Sequence, residues 1–149
     1  MNITISIGMI EIIEIMDVEK LEVAFQIRRE VFVVEQKVTE EEEFDGLDQI
    51  SRQFLALYQK KPAGTARMRL TPEGVKLERF SILIEYRKKR IGSELVKFLL
   101  SQAKILESKK VYLHAQKEVE NFYKQLGFFP VGETFLEANI LHIKMVFSK

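Results

Sequence analysis

The sequence predicts an α/β fold of the α+β kind, in which a mixed, mostly antiparallel sheet of six to seven strands has helices on both faces. Short runs of β-branched and aromatic residues recur along the chain, and two longer segments have apolar residues at helical spacing. With 149 residues, of which 46% are hydrophobic, the chain has the size of one domain with its own core. We therefore expect a single domain over residues 1–149.

The first half of the chain is predicted to form a strand, a helix and a three-stranded meander. Met9 to Ile15 is rich in isoleucine, and Asp17 can cap a helix from Val18 to about Gln36. A short capped helical turn is expected from Thr39 to Glu43. The meander strands are expected at 53–59, 65–70 and 75–84, with a hairpin turn at 60–64 and a second turn at 71–74.

The second half is predicted to alternate helices and strands. Apolar residues from Ile91 to about Glu107 define one broad helical face, which would pack on the sheet. The remaining elements are expected to be a buried strand at 111–115, a helix at 119–126, and a final strand pair at 128–135 and 140–147.

Composition excludes several classes of function. The 23 Lys and Arg residues nearly balance the 22 Asp and Glu residues, so no global charge favours nucleic acid or an anionic membrane. Without cysteine, and with only His114 and His142, disulfides, thiolate zinc sites and histidine-rich metal sites are excluded, and we expect no metal. The apolar run before Ile15 has no basic n-region and contains two glutamates, so a cytoplasmic location is expected.

A basic turn is the most informative local feature. The segment Arg87-Lys88-Lys89-Arg90 follows an apolar strand, and Gly92 stands at the start of the next helix. The first N–H groups of a helix have no partner within the helix, and the helix dipole is positive there. Together with four cationic side chains, they predict a site for a phosphate or pyrophosphate.

The order of elements and three local segments resemble the GCN5-related N-acetyltransferase (GNAT) family. In that family a Gln/Arg-x-x-Gly-x-Gly/Ala turn binds the pyrophosphate of acetyl-coenzyme A (acetyl-CoA). Arg87 and Gly92 match this turn, whereas Arg90 replaces its first glycine. The segment from Asn121 to Phe128 resembles the family's helix below the thioester. The resemblance implies a sheet that splays between its fourth and fifth strands.

The resemblance also implies which residues bind the co-substrate and act on it. Tyr123 matches the tyrosine that the family often uses as general acid, and the N–H of Ile82 would face the developing oxyanion. Tyr123 could also be a half-buried structural aromatic. The cofactor-binding residues implied are Ile82, Leu83, Ile84, Arg87, Lys88, Lys89, Arg90, Ile91, Gly92, Ser93 and Asn121.

A third segment, with Arg28, Glu35 and Gln36, resembles small bacterial acetyltransferases of unassigned acceptor. We expect these residues, with Arg67, His114 and His142, to contact the acceptor. Arg67 and Arg69 favour an anionic acceptor such as an amino sugar phosphate, although pairing with glutamates is the alternative. Glu78 is the first candidate for the general base, before Glu35 and His114.

The predicted function is transfer of an acetyl group from acetyl-CoA to a primary amine by direct attack in a ternary complex. No cysteine is present to carry the acetyl group, and the mechanism needs no metal. The alternatives are a non-catalytic acyl-CoA-binding or sensing domain and, less well supported, a nucleic-acid module. The edge formed by the last two strands leaves a homodimer open.

Overall fold

The computed structural model describes residues 4–106 and 110–148, which contain one eight-stranded sheet in the order β1-β2-β3-β4-β5-β6-β8-β7. Neighbouring strands are antiparallel except β5 and β6, which are parallel. The strands are β1 (Thr4–Ile7), β2 (Ile10–Glu14), β3 (Arg52–Tyr58), β4 (Lys61–Thr71), β5 (Gly74–Ile82), β6 (Val111–Gln116), β7 (Phe128–Glu137) and β8 (Ile140–Phe147). The α-helices are α1 (Val18–Arg28), α2 (Glu40–Glu43), α3 (Ile91–Lys104) and α4 (Glu120–Gln125).

The sheet has eight strands rather than six to seven because the N-terminal apolar run forms a hairpin. Gly8, with φ of 60°, lies in the turn between β1 and β2. A positive φ costs a glycine little, which favours the reversal there. The other seven strands correspond to predicted ones.

Helices cover both faces of the sheet, as predicted. Along β3, Phe54 and Ala56 face the core cluster that contains the buried side of α3. Leu55 faces the opposite side and packs with Ala24 and Ile27 of α1. This two-residue alternation makes β3 a central strand with two buried faces.

Strands β5 and β6, which are the fourth and fifth of the seven predicted strands, separate soon after they meet. This is the splay that the family resemblance implies. Their parallel pairing includes only Val75 with Val111 and Lys76 with Tyr112. The register of β5 against β4 then shifts at a bulge beside Arg79, whose φ is 61°. Bulges bend strands and are common beside active sites. The result is an open gap between the second halves of the two strands.

Several element boundaries differ from the predictions. The expected helix from Val18 to Gln36 is α-helical only to Arg28 and continues as a π-helix over Arg29–Glu35, where three valines weaken α-helical preference. The β3–β4 hairpin turns at Gln59 and Lys60, both with positive φ, so Pro62 lies within β4. The Asp17 and Thr39 caps are confirmed.

Two further boundaries bear on the site or its surroundings. Strand β7 extends past the predicted end at Phe135 to Glu137. The predicted end of α3 at Glu107 lies outside the described residues. In the described part of the chain the helix ends at Lys104. Over residues 4–106 and 110–148, none of the helices has the length and apolar character needed to cross a bilayer.

Candidate active site

A cavity of about 820 Å³ occupies the gap between β5 and β6. The π-helix and the start of α3 form two of its walls, and α4 closes one end. Of the predicted site residues, the cavity is lined by Glu35, Gln36, Glu78, Ile82, Arg87, Lys88, Arg90, Ile91, Gly92, Ser93, His114, Tyr123 and His142. Arg28, Arg67, Leu83, Ile84, Lys89 and Asn121 are not among its lining residues.

The basic turn and the start of α3 form the cationic end of this cavity. Lys88 and Arg90 both have left-handed backbone conformations, with φ of 64° and 68°. Arg90 is the N-cap of α3, and no side chain caps the first turn. The first backbone N–H groups of α3 therefore remain available to an anion. A glycine adopts this left-handed conformation at least cost, which explains why the motif has a glycine where this chain has Arg90.

Gly92 leaves room for close approach of a ligand to this helix end. A Cβ built there would meet Phe122 at 3.6 Å and Ile82 at 3.9 Å, which are ordinary contacts. Packing within the chain therefore does not require a glycine, whereas a diphosphate lying against the backbone would benefit from the missing side chain. The residues present fit the pyrophosphate of a coenzyme A derivative.

Arg87 binds protein groups rather than projecting freely into the cavity. Its Nη1 and Nη2 atoms donate to the Glu35 carboxylate at 2.6 and 2.7 Å, and its Nε donates to the Ile82 carbonyl at 2.9 Å. The hydrogen bond from Arg87 lowers the pKa of Glu35, and the same bond raises the pKa of Arg87. Arg87 thus joins the π-helix to the end of β5.

Ile82, Leu83 and Ile84, three apolar residues predicted to bind the co-substrate, differ in position. Leu83 donates its N–H to Ala63 on β4, so its amide is already paired. Because successive amides of a strand point to opposite edges, the N–H of Ile82 points toward the gap. Ile84 is exposed in a short 3₁₀ helix and does not line the cavity. Of the three residues, only Ile82 lines the cavity.

Tyr123 lies on α4, at the end of the cavity that this helix closes. Its ring is 8% exposed and packs edge-on against Phe122 and Phe128. Burial raises the pKa of Tyr123, so the phenol stays protonated at neutral pH. Asn121, two residues earlier on α4, is exposed outside the cavity, since neighbours at this spacing point to different sides of a helix. Lys89 also points elsewhere, over the ring of Tyr58 at 5.3 Å.

Arg28 and Arg67 lie in the protein interior instead of at an acceptor site. Both side chains are 0% exposed. Arg28 donates to Glu43 at 2.8 Å and to Asp48 at 2.6 Å. We call the set comprising these two arginines and four carboxylates the ion-pair cluster; its members are Arg28, Arg67, Glu43, Asp45, Asp48 and Glu78.

Glu78 lines the cavity but belongs to this cluster. Arg67 Nε and Arg69 Nε donate to the same carboxylate oxygen at 2.7 Å, and Lys76 Nζ lies 3.3 Å from the other oxygen. Burial raises the pKa of Glu78, but the three cations outweigh it and lower that pKa overall. A carboxylate with a lowered pKa is a weak proton acceptor, which argues against Glu78 as the general base.

Two imidazoles face the cavity with fixed tautomers. His114 Nδ1 lies 3.1 Å from Glu137, and His142 Nδ1 lies 2.6 Å from the Ile140 carbonyl. The hydrogen bond to His114 lowers the pKa of Glu137 to about 2, so this carboxylate is ionised and accepts. A carbonyl oxygen can only accept as well, so Nδ1 donates in both histidines and Nε2 is left unprotonated in the neutral rings.

Glu137 and Lys76 also line the cavity and were not predicted from the sequence. The predicted strand ends at Phe135, so Glu137 falls between two predicted strands. Ala138 and Asn139 both have positive φ and form a two-residue turn, which brings Glu137 opposite Ile140. The apolar–polar alternation of Phe135 and Glu137 was the available signal. Lys76 lies on the predicted strand two residues before Glu78, so the alternation of side chains along a strand was the available signal for their shared face.

Comparisons with known proteins show the family to which the chain belongs. Residues 15–149 match the family model described as acetyltransferase (GNAT) domain. The chain is 36% identical over 129 residues to an uncharacterized N-acetyltransferase, YjcF, of Bacillus subtilis, covering 86% of this chain and 92% of that protein.

Solved structures agree with the family model. An acyl-CoA N-acyltransferase from Pseudomonas aeruginosa has a TM-score of 0.80 and 30% identity, with 89% of this chain and 93% of that chain covered. Escherichia coli ElaA has a TM-score of 0.84 and 30% identity, covering 94% and 100%. These findings favour an enzyme over a sensing domain. The chain belongs to the GNAT family and is an acetyltransferase.

Proposed function

We propose that the protein transfers the acetyl group of acetyl-CoA to a primary amine by direct attack in a ternary complex. The observation that carries this proposal is one continuous cavity with a cationic helix end, a protonated phenol and two imidazoles along its walls. These are the groups that binding a pyrophosphate, protonating a thiolate and accepting an amine proton would need.

The cationic end of the cavity is the proposed pyrophosphate site. Lys88 and Arg90 would supply charge, and the first N–H groups of α3 near Gly92 and Ser93 would donate hydrogen bonds. When bound, acetyl-CoA supplies an activated thioester. Arg87 would support the site indirectly, because its bonds to Glu35 and Ile82 hold the turn in place.

Ile82 and Tyr123 are the proposed groups around the reacting carbonyl. The Ile82 N–H can donate to the oxygen on which negative charge develops. The amine nitrogen forms the new C–N bond while the C–S bond breaks, and the Tyr123 hydroxyl gives its proton to the departing sulfur. A raised pKa keeps Tyr123 in the acidic form that this step requires.

The amine proton is assigned to the imidazole pair, His114 and His142. Glu78 is held by three cations, whereas each imidazole in its neutral form has Nε2 as a free acceptor for a proton. An amine with pKa near 10.4 is mostly protonated at pH 7, which is a deficit of roughly 4.6 kcal/mol. A neutral imidazole and partial desolvation in the cavity would reduce that deficit.

The first test compares Tyr123→Phe with Tyr58→Phe. Calorimetric titration with acetyl-CoA gives affinity, and release of free thiol in the presence of amines gives turnover. Tyr123→Phe should lower kcat by about 100- to 10,000-fold with an unchanged Kd, since only the proton donor is lost. Tyr58 lies outside the cavity lining, so its variant should match wild type. Wild-type protein that does not bind acetyl-CoA would contradict the proposal.

A homodimer is a further part of the proposal. In the structure β7, not β8, is the edge of the sheet, and it exposes Phe129, Val131 and Leu136. An exposed edge with apolar side chains can pair with a second copy. Light scattering after size exclusion should show twice the monomer mass, and a monomer at all concentrations would reject the dimer.

A further inference from the structure

A second chamber of about 440 Å³ opens beside the main cavity. The two share several walls, including Lys76, Glu78, Gln116, Glu137 and His142. Helix α2 supplies the outer wall of the chamber through its glutamates. A small molecule in the chamber would therefore reach the groups around the reacting centre without crossing the pyrophosphate end.

Carboxylates dominate the charge of this chamber. Six of its lining residues are Asp or Glu and three are Arg or Lys. Each of the three cations is already paired: Arg69 with Glu78 at 2.7 Å, Lys76 with Glu78 at 3.3 Å, and Arg79 with Asp45 at 3.1 Å. Within residues 4–106 and 110–148, Glu41, Glu42 and Glu137 line the chamber without an Arg or Lys partner.

His142 gives a second, independent indication of a ligand that donates hydrogen bonds. Its side chain is buried, at 6% exposure, and lines both the chamber and the main cavity. Nδ1 donates to Ile140, which leaves Nε2 of the neutral ring as an acceptor that can take a hydrogen bond from a ligand.

We propose that this chamber is the acceptor site and that it selects an amine carrying a second positive charge, such as a diamine. This inference rests on the proposed function. The reacting amine would donate to Nε2 of His142 near Glu137, and the distal ammonium would lie by Glu41 and Glu42. Glu41, Glu42 and Glu137, which have no Arg or Lys ion-pair partner among the described residues, attract a dication and repel an anion.

The same residues argue against the anionic acceptor that the sequence favoured. Arg67 is 0% exposed, and Arg69 is bound to Glu78. Neither guanidinium is available to a phosphate or carboxylate of a substrate. An anionic acceptor would instead meet the three carboxylates of the chamber that have no Arg or Lys partner among the described residues, and like charges repel.

Three amines with four-carbon chains test the inference in wild-type protein: 1,4-diaminobutane, butylamine and 4-aminobutanoate. With acetyl-CoA saturating, kcat/KM should be at least tenfold higher for the diamine than for butylamine, and lowest for 4-aminobutanoate. Raising the salt concentration should narrow the difference, because salt screens exposed charges. Equal values for the diamine and butylamine would overturn the inference.

Variants locate the effect in the chamber. Glu41→Gln combined with Glu42→Gln should raise KM for the diamine at least tenfold and leave KM for butylamine unchanged. Glu40→Gln is the matched control, because Glu40 lies on the same helix, pairs with Arg29 and does not line the chamber. An equal effect of all these variants on both amines would contradict a charge-selective site.

A binding experiment separates failure of this inference from failure of the proposed function. The diamine and butylamine are titrated calorimetrically into protein saturated with coenzyme A, which needs no turnover. Tighter binding of the diamine, lost in the double glutamine variant, supports the chamber even if none of the amines is acetylated. Failure of wild type to bind acetyl-CoA contradicts the proposed function, whereas diamine binding no tighter than that of butylamine contradicts only the inference.

Discussion

The ion-pair cluster and the basic turn before α3 contain the same kind of side chain in opposite environments. Arg28 and Arg67 are fully buried, and each donates to at least two carboxylates. Lys88 and Arg90 are exposed at the mouth of the cavity, and both have strained left-handed backbones. Paired buried cations hold α1, α2 and the sheet together, whereas exposed cations beside free helix N–H groups can bind a ligand.

The largest expected effect is a loss of stability when a buried arginine of the ion-pair cluster is removed. Arg67→Met removes the cation shared by Asp45, Asp48 and Glu78. Unpaired buried carboxylates are strongly destabilising, so the free energy of unfolding should fall by about 3–5 kcal/mol in urea denaturation. Arg29→Met is the control, because its pair with Glu40 is exposed and should contribute about 1 kcal/mol or less. Similar losses in both variants would contradict a special role for the cluster.

Acid should weaken the same cluster. The pKa values of Asp45, Asp48 and Glu78 are lowered, because hydrogen bonds and charges from arginines outweigh burial. Carboxylates with lowered folded-state pKa values stabilise the protein above their unfolded pKa, and this contribution is lost as pH falls through the folded value. Glu43, whose pKa is raised by burial, acts in the opposite sense.

The net expectation is a free energy of unfolding that declines below about pH 4, since three carboxylates with lowered pKa values outnumber one with a raised value. Urea denaturation between pH 3 and 7 measures this decline. It should be shallower in Asp45→Asn and unchanged in Glu40→Gln, which removes an exposed carboxylate outside the cluster. An equally steep decline in Asp45→Asn would show that the cluster is not its source.

Arg90→Gly tests the exposed basic turn. It should make the protein more stable and its binding of acetyl-CoA weaker. Glycine relieves the left-handed backbone, so the free energy of unfolding should rise by about 1 kcal/mol. Loss of a charge-assisted contact should weaken acetyl-CoA binding by about tenfold. Lys89→Ala is the control for affinity, because Lys89 does not line the cavity. Unchanged affinity in Arg90→Gly would remove Arg90 from the pyrophosphate site.

The smallest effect on stability is expected for the ion pair of Arg87 and Glu35, which is neither fully buried nor fully exposed. Its side chains are 35% and 36% exposed. A double-mutant cycle with Arg87→Ala and Glu35→Ala should therefore give a coupling of only about 0.5–1 kcal/mol in urea denaturation. A coupling as large as that of a buried pair would place Arg87 with the cluster instead.

Local pattern was sufficient for much of the fold and for part of the site. The alternation in β3, the helical face of α3 and the caps at Asp17 and Thr39 depend on neighbours in sequence. The turn at Gln59 and Lys60 was missed because it requires positive φ in two residues that are not typical of such turns. The break at Arg28 was missed because helical periodicity alone does not separate an α-helix from a π-helix.

The sequence by itself determined the order of the elements, the basic turn at the start of α3 and the position of Tyr123 after β6. These features depend on residues within a few positions of one another. Only the tertiary structure decided that Arg28 and Arg67 are interior ion partners, that Arg87 pairs with Glu35, and that three carboxylates of the second chamber have no Arg or Lys partner among the described residues. The physical reason is that the role of a charge depends on its burial and its partners, and here the partners are 11 to 52 residues apart.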